Sequence, residues 1–460
     1  MRLVVWMVWG VLALQAGGLR AQAELRAAVA AAEAMGVRAG VVIADAHGNP
    51  VYRHRSKESF RPASNLKLIT AASLLAGLGG DFEFLTPFEL RDGQLVVHAS
   101  GDPNWIVDTP QAPEFMFRGL VAALQRSRAT SLRGIELRPG TFTGPARPAG
   151  WPQDQFDRYY CAPTGPFVVQ QSNFVLRVAA GPRDAYVTLM APFVMVPIDG
   201  GIRTVNKSKG AVYGAIDKTD RITVRGKFYR RSPPVRIRTA MKDPEVWFRQ
   251  TLTQALVAGG IDFEGRSAVP EGLLYVHRTP LRPSLRRQLV DSSNFDSEQC
   301  LRVLGNQRLG DGSLDGGLRA ARQVLRGLLG HDLQGLTMVD GSGLSRDNQV
   351  TPALLVEILA AALAQRTGAE LLAAMPVAGE EGTLANRFAG SSLRGRVRAK
   401  TGWIRGASAL SGVLQLRNGE LRLFAILMNY DPARGGLNRK LKQMQERIVA
   451  AVDADGAARE

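Results

Sequence analysis

Apolar positions along the chain follow two textures, one with the 3.6-residue period of a helix and one that alternates residue by residue. Glu24 to Met35 is alanine-rich with helical spacing, and Val37 to Asp45, centred on Val41-Val42-Ile43, predicts a strand. His47-Gly48-Asn49-Pro50 supplies a turn, and Val51 to His54 alternates as a returning strand. Good helix formers run from Leu66 to Leu78 and stop at Gly79-Gly80, which places Ser64 at a helix N-terminus where backbone N–H groups lack intrahelical acceptors. From Phe82 to about Pro270 the pattern breaks into short alternating runs such as Gln94 to His98, Ala185 to Met190 and Arg221 to Phe228. Helical interruptions are predicted there at Ala112 to Ser127 and Asp243 to Gly259.

Helical spacing returns from Ser284 through Leu304, then over Leu314 to Leu329 and Pro352 to Arg366. The final strands begin at Arg396 to Lys400 and Ser408 to Leu416, and Asn418-Gly419 predicts a tight hairpin into Leu421 to Ile426. Leu437 to Val452 closes the chain as an amphipathic helix. This pattern predicts one α/β (α+β) domain in two halves, 24–83 and 271–460, interrupted by a large β-rich insertion at 84–270. Residues 1–23 carry Met1-Arg2, an apolar run from Leu3 to Leu14 and the small-x-small site Ala21-Gln22-Ala23, the pattern of a cleaved secretory signal. That run is short of the roughly 20 residues that span a bilayer, so an exported protein is expected, soluble or peripherally associated.

Candidate chemistry lies outside the insertion, in three strings: Ser64-Asn65-Leu66-Lys67, Ser292-Ser293-Asn294 and Lys400-Thr401-Gly402. Lys67 lies one helical turn beyond Ser64, which puts an amine beside a hydroxyl that needs a base to become a nucleophile. Lys67 serves as that base only when neutral, and burial or a second cation such as Lys400 would favour the neutral form. Ser292 can pass a proton towards a leaving group, and Asn294 offers an acceptor and donors for a substrate amide. Lys400 can face a carboxylate, and Gly402 lets a backbone approach closely at a strand edge open to an extended peptide.

Charge and composition narrow the partners. The formal net charge is +17, and removing Arg2 and Arg20 with the signal leaves +15, densest between Arg203 and Arg249. Anionic partners follow, among them cell-wall polymer or a membrane surface met through the basic insertion. No zinc spacing or RNA-binding aromatic signature accompanies the charge, so nucleic acid is excluded. His47, His54, His98, His277 and His331 are scattered without ligand spacing, so no metal or other cofactor is expected. Cys161 and Cys300 are far apart and are expected to be unbridged.

The three strings resemble the Ser-x-x-Lys, Ser-x-Asn and Lys-Thr-Gly set of penicillin-binding proteins and serine β-lactamases. Their flanks, Pro62-Ala63-Ser64-Asn65-Leu66-Lys67, Gly101-Asp102-Pro103, Asp340-Gly341-Ser342-Gly343-Leu344-Ser345-Arg346, Gly382-Thr383-Leu384 and Arg396 to Gly402, resemble the D-alanyl-D-alanine carboxypeptidase/endopeptidase family, the class C low-molecular-mass penicillin-binding proteins. The resemblance runs from about Val37 to Tyr430 and includes the long insertion, which separates the family from β-lactamases. It implies a transpeptidase-like domain with a five-stranded antiparallel sheet flanked by helices, interrupted by one or two accessory domains. It also implies a periplasmic or otherwise extracytoplasmic hydrolase of peptidoglycan stem peptides that β-lactams acylate. By position, Ser64 would be acylated and Lys67 would be its base. Ser292 and Asn294 would support them, Lys400 and Thr401 would bind substrate, and the backbone N–H groups of Ser64 and Trp403 would form the oxyanion hole.

Trp403 departs from the family, which usually has Thr or Ser directly after Lys-Thr-Gly. The lost hydroxyl would otherwise help hold a terminal carboxylate, so either Arg405 replaces it or internal cross-links are preferred over free termini. Asp340-Gly341-Ser342-Gly343 reads as a structural turn near the site, because it lacks the lysine of a phosphate loop. Two alternatives stay open: a catalytically weak wall-binding module, and a β-lactamase or esterase on the same scaffold.

Overall fold

The computed structural model describes residues 22–107, 114–190, 196–206, 212–216, 221–265 and 270–457. The predicted signal falls almost wholly on residues 1–21, outside the described residues. The chain divides into two compact units, one of residues 1–80, 285–293 and 318–460, the other of residues 81–284 and 294–317.

The first unit opens with helix α1 over 22–33. Strands β1 (Val37–Ala44) and β2 (Pro50–His54) follow, then α2 (Leu66–Leu78). The second unit contributes β3 (Glu83–Arg91), β4 (Gln94–His98), α3 (Glu114–Arg126), β5 (Gly134–Arg138), β6 (Asn173–Ala179) and β7 (Tyr186–Leu189). It continues through β8 (Ile198–Val205), β9 (Val212–Ile216), β10 (Ile222–Tyr229), β11 (Val235–Ala240), α4 (Pro244–Ala258) and β12 (Gly272–Pro280). Helices α5 (Arg282–Leu289), α6 (Asn294–Leu309) and α7 (Leu314–Leu329) lead on to β13 (Leu336–Thr337), β14 (Gln349–Val350), α8 (Pro352–Leu363) and α9 (Gly368–Ala374). The chain ends with β15 (Val397–Ile404), β16 (Ala407–Gln415), β17 (Leu421–Tyr430) and α10 (Asn438–Ala457).

In the first unit, β15-β16-β17-β1-β2 form one five-stranded sheet in which every pair is antiparallel. Strands from both ends of the sequence meet through β1 and β17, with Val41 opposite Ile426 and Ile43 opposite Phe424. Val37, Ala39, Val41, Ile43, Leu410, Ile426 and Met428 pack with Leu25 and Val29 of α1 and Leu441 and Ile448 of α10. The other face is covered too, because a side chain added at Gly40 would meet Phe60 and Pro352 at the start of α8. That double coverage explains why β1 and β17 read as continuous apolar runs. Helix α2 is buried at every position from Leu66 to Leu75, so it is apolar nearly all round, and Gly79, with φ 89°, ends it.

The second unit holds a β12-β3-β4-β5 sheet and the three-stranded sheets β11-β6-β7 and β8-β10-β9. Their shared core includes Phe88, Trp105, Phe117, Phe174 and Phe248. This unit is wider than the insertion expected at 84–270. Strand β12 lies beyond residue 270 but pairs along β3, with Thr279 opposite Phe84, a long-range pairing that local texture does not reveal. The helical stretch expected from Ser284 through Leu304 is broken between α5 and α6, where Ser292 adopts φ 60°. Cys161 and Cys300 are buried and are not joined by a disulfide, and burial pushes the Cys161 thiol up to about 12. Among the described residues, no helix is long and apolar enough to cross a membrane.

Candidate active site

Ser64 sits in a single 3-10 turn, Ala63–Asn65, that runs directly into α2. Its N–H is among the first donors of the helical segment, which have no intrahelical acceptor. The turn is held from two sides. Ala63 has φ 47°, and Gly343, with φ 80°, packs so closely on it that a side chain at 343 would run into the Ala63 carbonyl. Gly402 approaches from the strand, where an added Cβ would lie 2.8 Å from the Pro62 carbonyl oxygen and 3.1 Å from Asn65 Nδ2. Gly402 is required by space, and Gly343 by space and by its left-handed backbone.

Lys67 Nζ donates to Ser64 Oγ at 3.1 Å and to the Ser342 carbonyl at 2.7 Å. The loop that presents Ser342 is rigid because the Asp340 carboxylate accepts from the amides of Gly343 and Ser345, each at 2.7 Å, and Asn348 Nδ2 donates to Asp340 Oδ1 at 2.9 Å. Thr70 Oγ1 also ties α2 to this loop, at 2.7 Å from the Gly341 carbonyl. The segment expected to be a structural turn near the site is therefore what orients the Lys67 amine.

Lys400 lies on β15, an edge strand that pairs only with β16 in the sheet. Asn65 Nδ2 donates to the Lys400 carbonyl at 2.8 Å, which joins the residue after Ser64 directly to the strand. Lys67 and Lys400 are both 0% exposed. Burial, and then the positive charge of Lys67, hold the Lys400 amine well below the usual lysine range, while Asp291 pulls the other way. Lys400 Nζ donates to the Thr401 carbonyl at 2.8 Å.

The free edge of β15 is oriented by its own hydrogen bonds. Gln415 N donates to the Arg396 carbonyl on the β16 side, whereas Ala378 N donates to the Val397 carbonyl and Ala399 N to the Pro376 carbonyl on the opposite side. Backbone groups alternate along a strand, so Thr401 and Trp403 turn their N–H groups to that same outer edge. The Trp403 side chain is 55% exposed. Arg405 stands at the β15–β16 turn, where its Nε donates to the Pro432 carbonyl at 2.8 Å.

Ser292 and Ser293 lie in the short link between α5 and α6, and Gln288 Nε2 of α5 donates to the Lys67 carbonyl at 3.3 Å. Asn294 opens α6 in the second unit, and its Nδ2, expected to face a substrate amide, donates to the Tyr160 carbonyl at 2.9 Å. The structure therefore brings Ser64, Lys67, Lys400 and Gly402 together. Sequence reasoning missed Asn65, Gln288, Asp291 and the Ser342 carbonyl. Asn65 was visible inside its string, but a backbone acceptor such as Ser342 has no side-chain signature. Of the histidines, His277 is stacked on Trp105 at 4.1 Å, and burial holds its pKa down to about 4.

The model of the D-Ala-D-Ala carboxypeptidase 3 (S13) family matches residues 21–450. The D-alanyl-D-alanine carboxypeptidase of an Actinomadura species is 31% identical over 440 residues, covering 86% of this chain and 78% of the relative. Carboxypeptidase DacB of Mycolicibacterium smegmatis is 26% identical over 429 residues, covering 89% and 80%. The crystal structure of penicillin binding protein 4 from Haemophilus influenzae superposes with a TM-score of 0.74 at 21% identity, over 91% of this chain and 97% of that one, which shows a shared fold.

Proposed function

The chain belongs to the D-Ala-D-Ala carboxypeptidase 3 (S13) family of penicillin-binding hydrolases, and on that premise we propose that it cuts D-alanyl amide bonds of peptidoglycan stem peptides through an acyl-enzyme on Ser64. The observation that carries this reading is the 3.1 Å contact between Lys67 Nζ and Ser64 Oγ beside a second buried amine. Repulsion between two ammonium groups is mutual, so burial and proximity together disfavour the doubly charged pair. A neutral Lys67 takes the Ser64 proton as Oγ bonds to the substrate carbonyl carbon. The N–H groups of Ser64 and Trp403 stabilise the resulting oxyanion. Collapse breaks the C–N bond, Ser292 relays the proton to the departing amine, and water then hydrolyses the ester. The same chemistry opens a β-lactam ring, which makes these antibiotics acylating inhibitors. In this reading the first unit is the penicillin-binding domain, the second is the accessory insertion, and residues 1–23 direct export. Lys400, Thr401 and Gly402 line the strand that receives substrate, with Asn294 in support.

Trp403 and Arg405 bear on which amide is cut. Trp403 supplies no hydroxyl for a terminal carboxylate, and Arg405 is engaged with Pro432, so internal cross-links are favoured over free termini. The test compares D-alanine release from a D-Ala-D-Ala-ended pentapeptide with cleavage of a cross-linked dimer. Trp403→Thr is expected to raise the first relative to the second by about tenfold, within the range for a hydrogen bond to a charged group. An unchanged ratio would remove Trp403 from specificity. Neither reaction in the parent would favour a wall-binding module instead.

A further inference from the structure

The positive charge concentrated between Arg203 and Arg249 takes no part in the chemistry of Ser64. The second unit folds part of it into one face of the β8-β10-β9 sheet. Along β10, Ile222, Val224 and Phe228 are buried in the shared core, whereas Thr223, Arg225 and Lys227 are exposed on the other side. Strand β8 runs parallel beside it, with Ile202 in the same core and Arg203 exposed directly opposite Lys227. Arg203, Arg225 and Lys227 therefore share the outer face. Successive outward residues of a strand stand about 7 Å apart and neighbouring strands about 5 Å apart. Like charges at that spacing repel, so the face costs stability until an anion meets it.

Nothing described on this face neutralises it. Among the described residues, none of the three cations has a hydrogen-bond or ion-pair partner for its side chain. Asp199, opposite Thr223, is already taken by Arg221, which reaches its two oxygens at 2.8 and 2.9 Å. Gly201 lies opposite Arg225, and a Cβ added there would meet nothing within 4 Å, so the surface between the cations is open. The β11-β6-β7 sheet also sets Arg236 opposite Arg177, but its face is partly filled. There the Arg238 guanidinium lies 5.9 Å from the centre of the Tyr159 ring, and Tyr186 stands exposed.

We propose that the outer face of β8 and β10 docks an anionic polymer of the cell wall, a linear chain with a phosphate on each short repeat unit. Guanidinium forks match phosphate oxygens, and such a chain brings its charges at regular short intervals, as the face presents its cations. Among the described residues, the face carries no exposed large apolar side chain, and Tyr229 at its end is half-buried. A bilayer, which rewards inserted apolar area, and a nucleic acid base, which stacks on an open ring, are served less well. The docking face is independent of the chemistry assigned to Ser64.

The test measures binding of the full chain to purified poly(glycerol phosphate). Vesicles of equal parts phosphatidylcholine and phosphatidylglycerol, and oligothymidylate, serve as comparison probes. Three phosphate contacts on a single-stranded polyanion should make binding about 20-fold weaker at about 200 mM salt than at about 50 mM. The variant Arg203→Gln, Arg225→Gln, Lys227→Gln is expected to bind at least about tenfold more weakly at the lower salt and to lose most of that salt dependence. The variant Arg177→Gln, Arg236→Gln, Arg238→Gln removes the same charge and is expected to stay within about threefold of the parent. Both should melt as the parent does, because the replaced side chains are exposed. Equal losses in the two variants, or full binding by the first, overturn the docking face. A parent that does not bind the polymer, or that binds the vesicles or oligothymidylate more tightly, overturns it as well.

Discussion

Lys67→Met is expected to slow acylation by benzylpenicillin by about 10²- to 10⁴-fold, the usual contribution of a positioned general base. Among the described residues, Ser64 Oγ has one amine within hydrogen-bond reach, and methionine keeps the length of that side chain while removing its proton acceptor. The fold should survive, because two effects oppose each other. The Ser342 carbonyl loses a donor, which costs about 1 to 3 kcal/mol for a buried acceptor. Against that, a fully buried ionisable group disappears beside another one. The rate is read from adduct mass against time, with a thermal melt as the control for folding. Acylation within about threefold of the parent would exclude Lys67 as the base.

Lys400→Met should move activity and stability in opposite directions. Burial and the charge of Lys67 depress the folded-state pKa of Lys400 well below its value in an unfolded chain, about 10.4. Between those two values the unfolded chain holds the extra proton, so stability rises with pH across that window. Above about 10.4 the penalty is absent; as pH falls it grows, and it is complete below the folded-state pKa. Methionine removes the titrating group and should flatten this alkaline rise. At neutral pH a gain of about 1 to 4 kcal/mol is expected, as when buried charges give way to apolar side chains. Acylation should fall by about 10²- to 10³-fold, the usual loss when an electrostatic contact of a reacting centre is removed. Denaturant unfolding across pH 6 to 11 checks the first half, and adduct kinetics check the second. A variant that is less stable at neutral pH, or as reactive as the parent, would contradict the reading of Lys400 as a strained functional cation.

Local patterns made much of this fold legible. The prediction over Leu314 to Leu329 coincides with α7, and Asp243 and Gly259 bracket α4, with the Asp243 side chain accepting from the Glu245 and Val246 amides. Asn418-Gly419 turns β16 into β17, and Gly419 has the positive φ, 88°, that such a turn favours. Features set by distant parts of the chain were not legible. The β12–β3 pairing, the reversal at Ser292 and the Tyr160 partner of Asn294 all depend on residues that no local window contains. The site shows the same division. Ser64, Lys67 and Lys400 stand out in the sequence by side-chain type and spacing, and the structure brings them close. The carbonyl of Ser342, the amide of Asn65 and the charge of Asp291 act through positions that only the fold brings close. The basic stretch predicted as a surface resolves unevenly. Arg225 and Lys227 are exposed on β10, whereas Arg230 is occupied by Asn206 and by the carbonyls of Gly181 and Pro182.

Acylation at Ser64 is tested by the intact mass of the protein after incubation with benzylpenicillin, parent beside Ser64→Ala, followed over time. A single persistent adduct on the parent and none on the variant is the predicted result. An adduct of equal yield on Ser64→Ala, or no adduct on a parent that is folded, would contradict it.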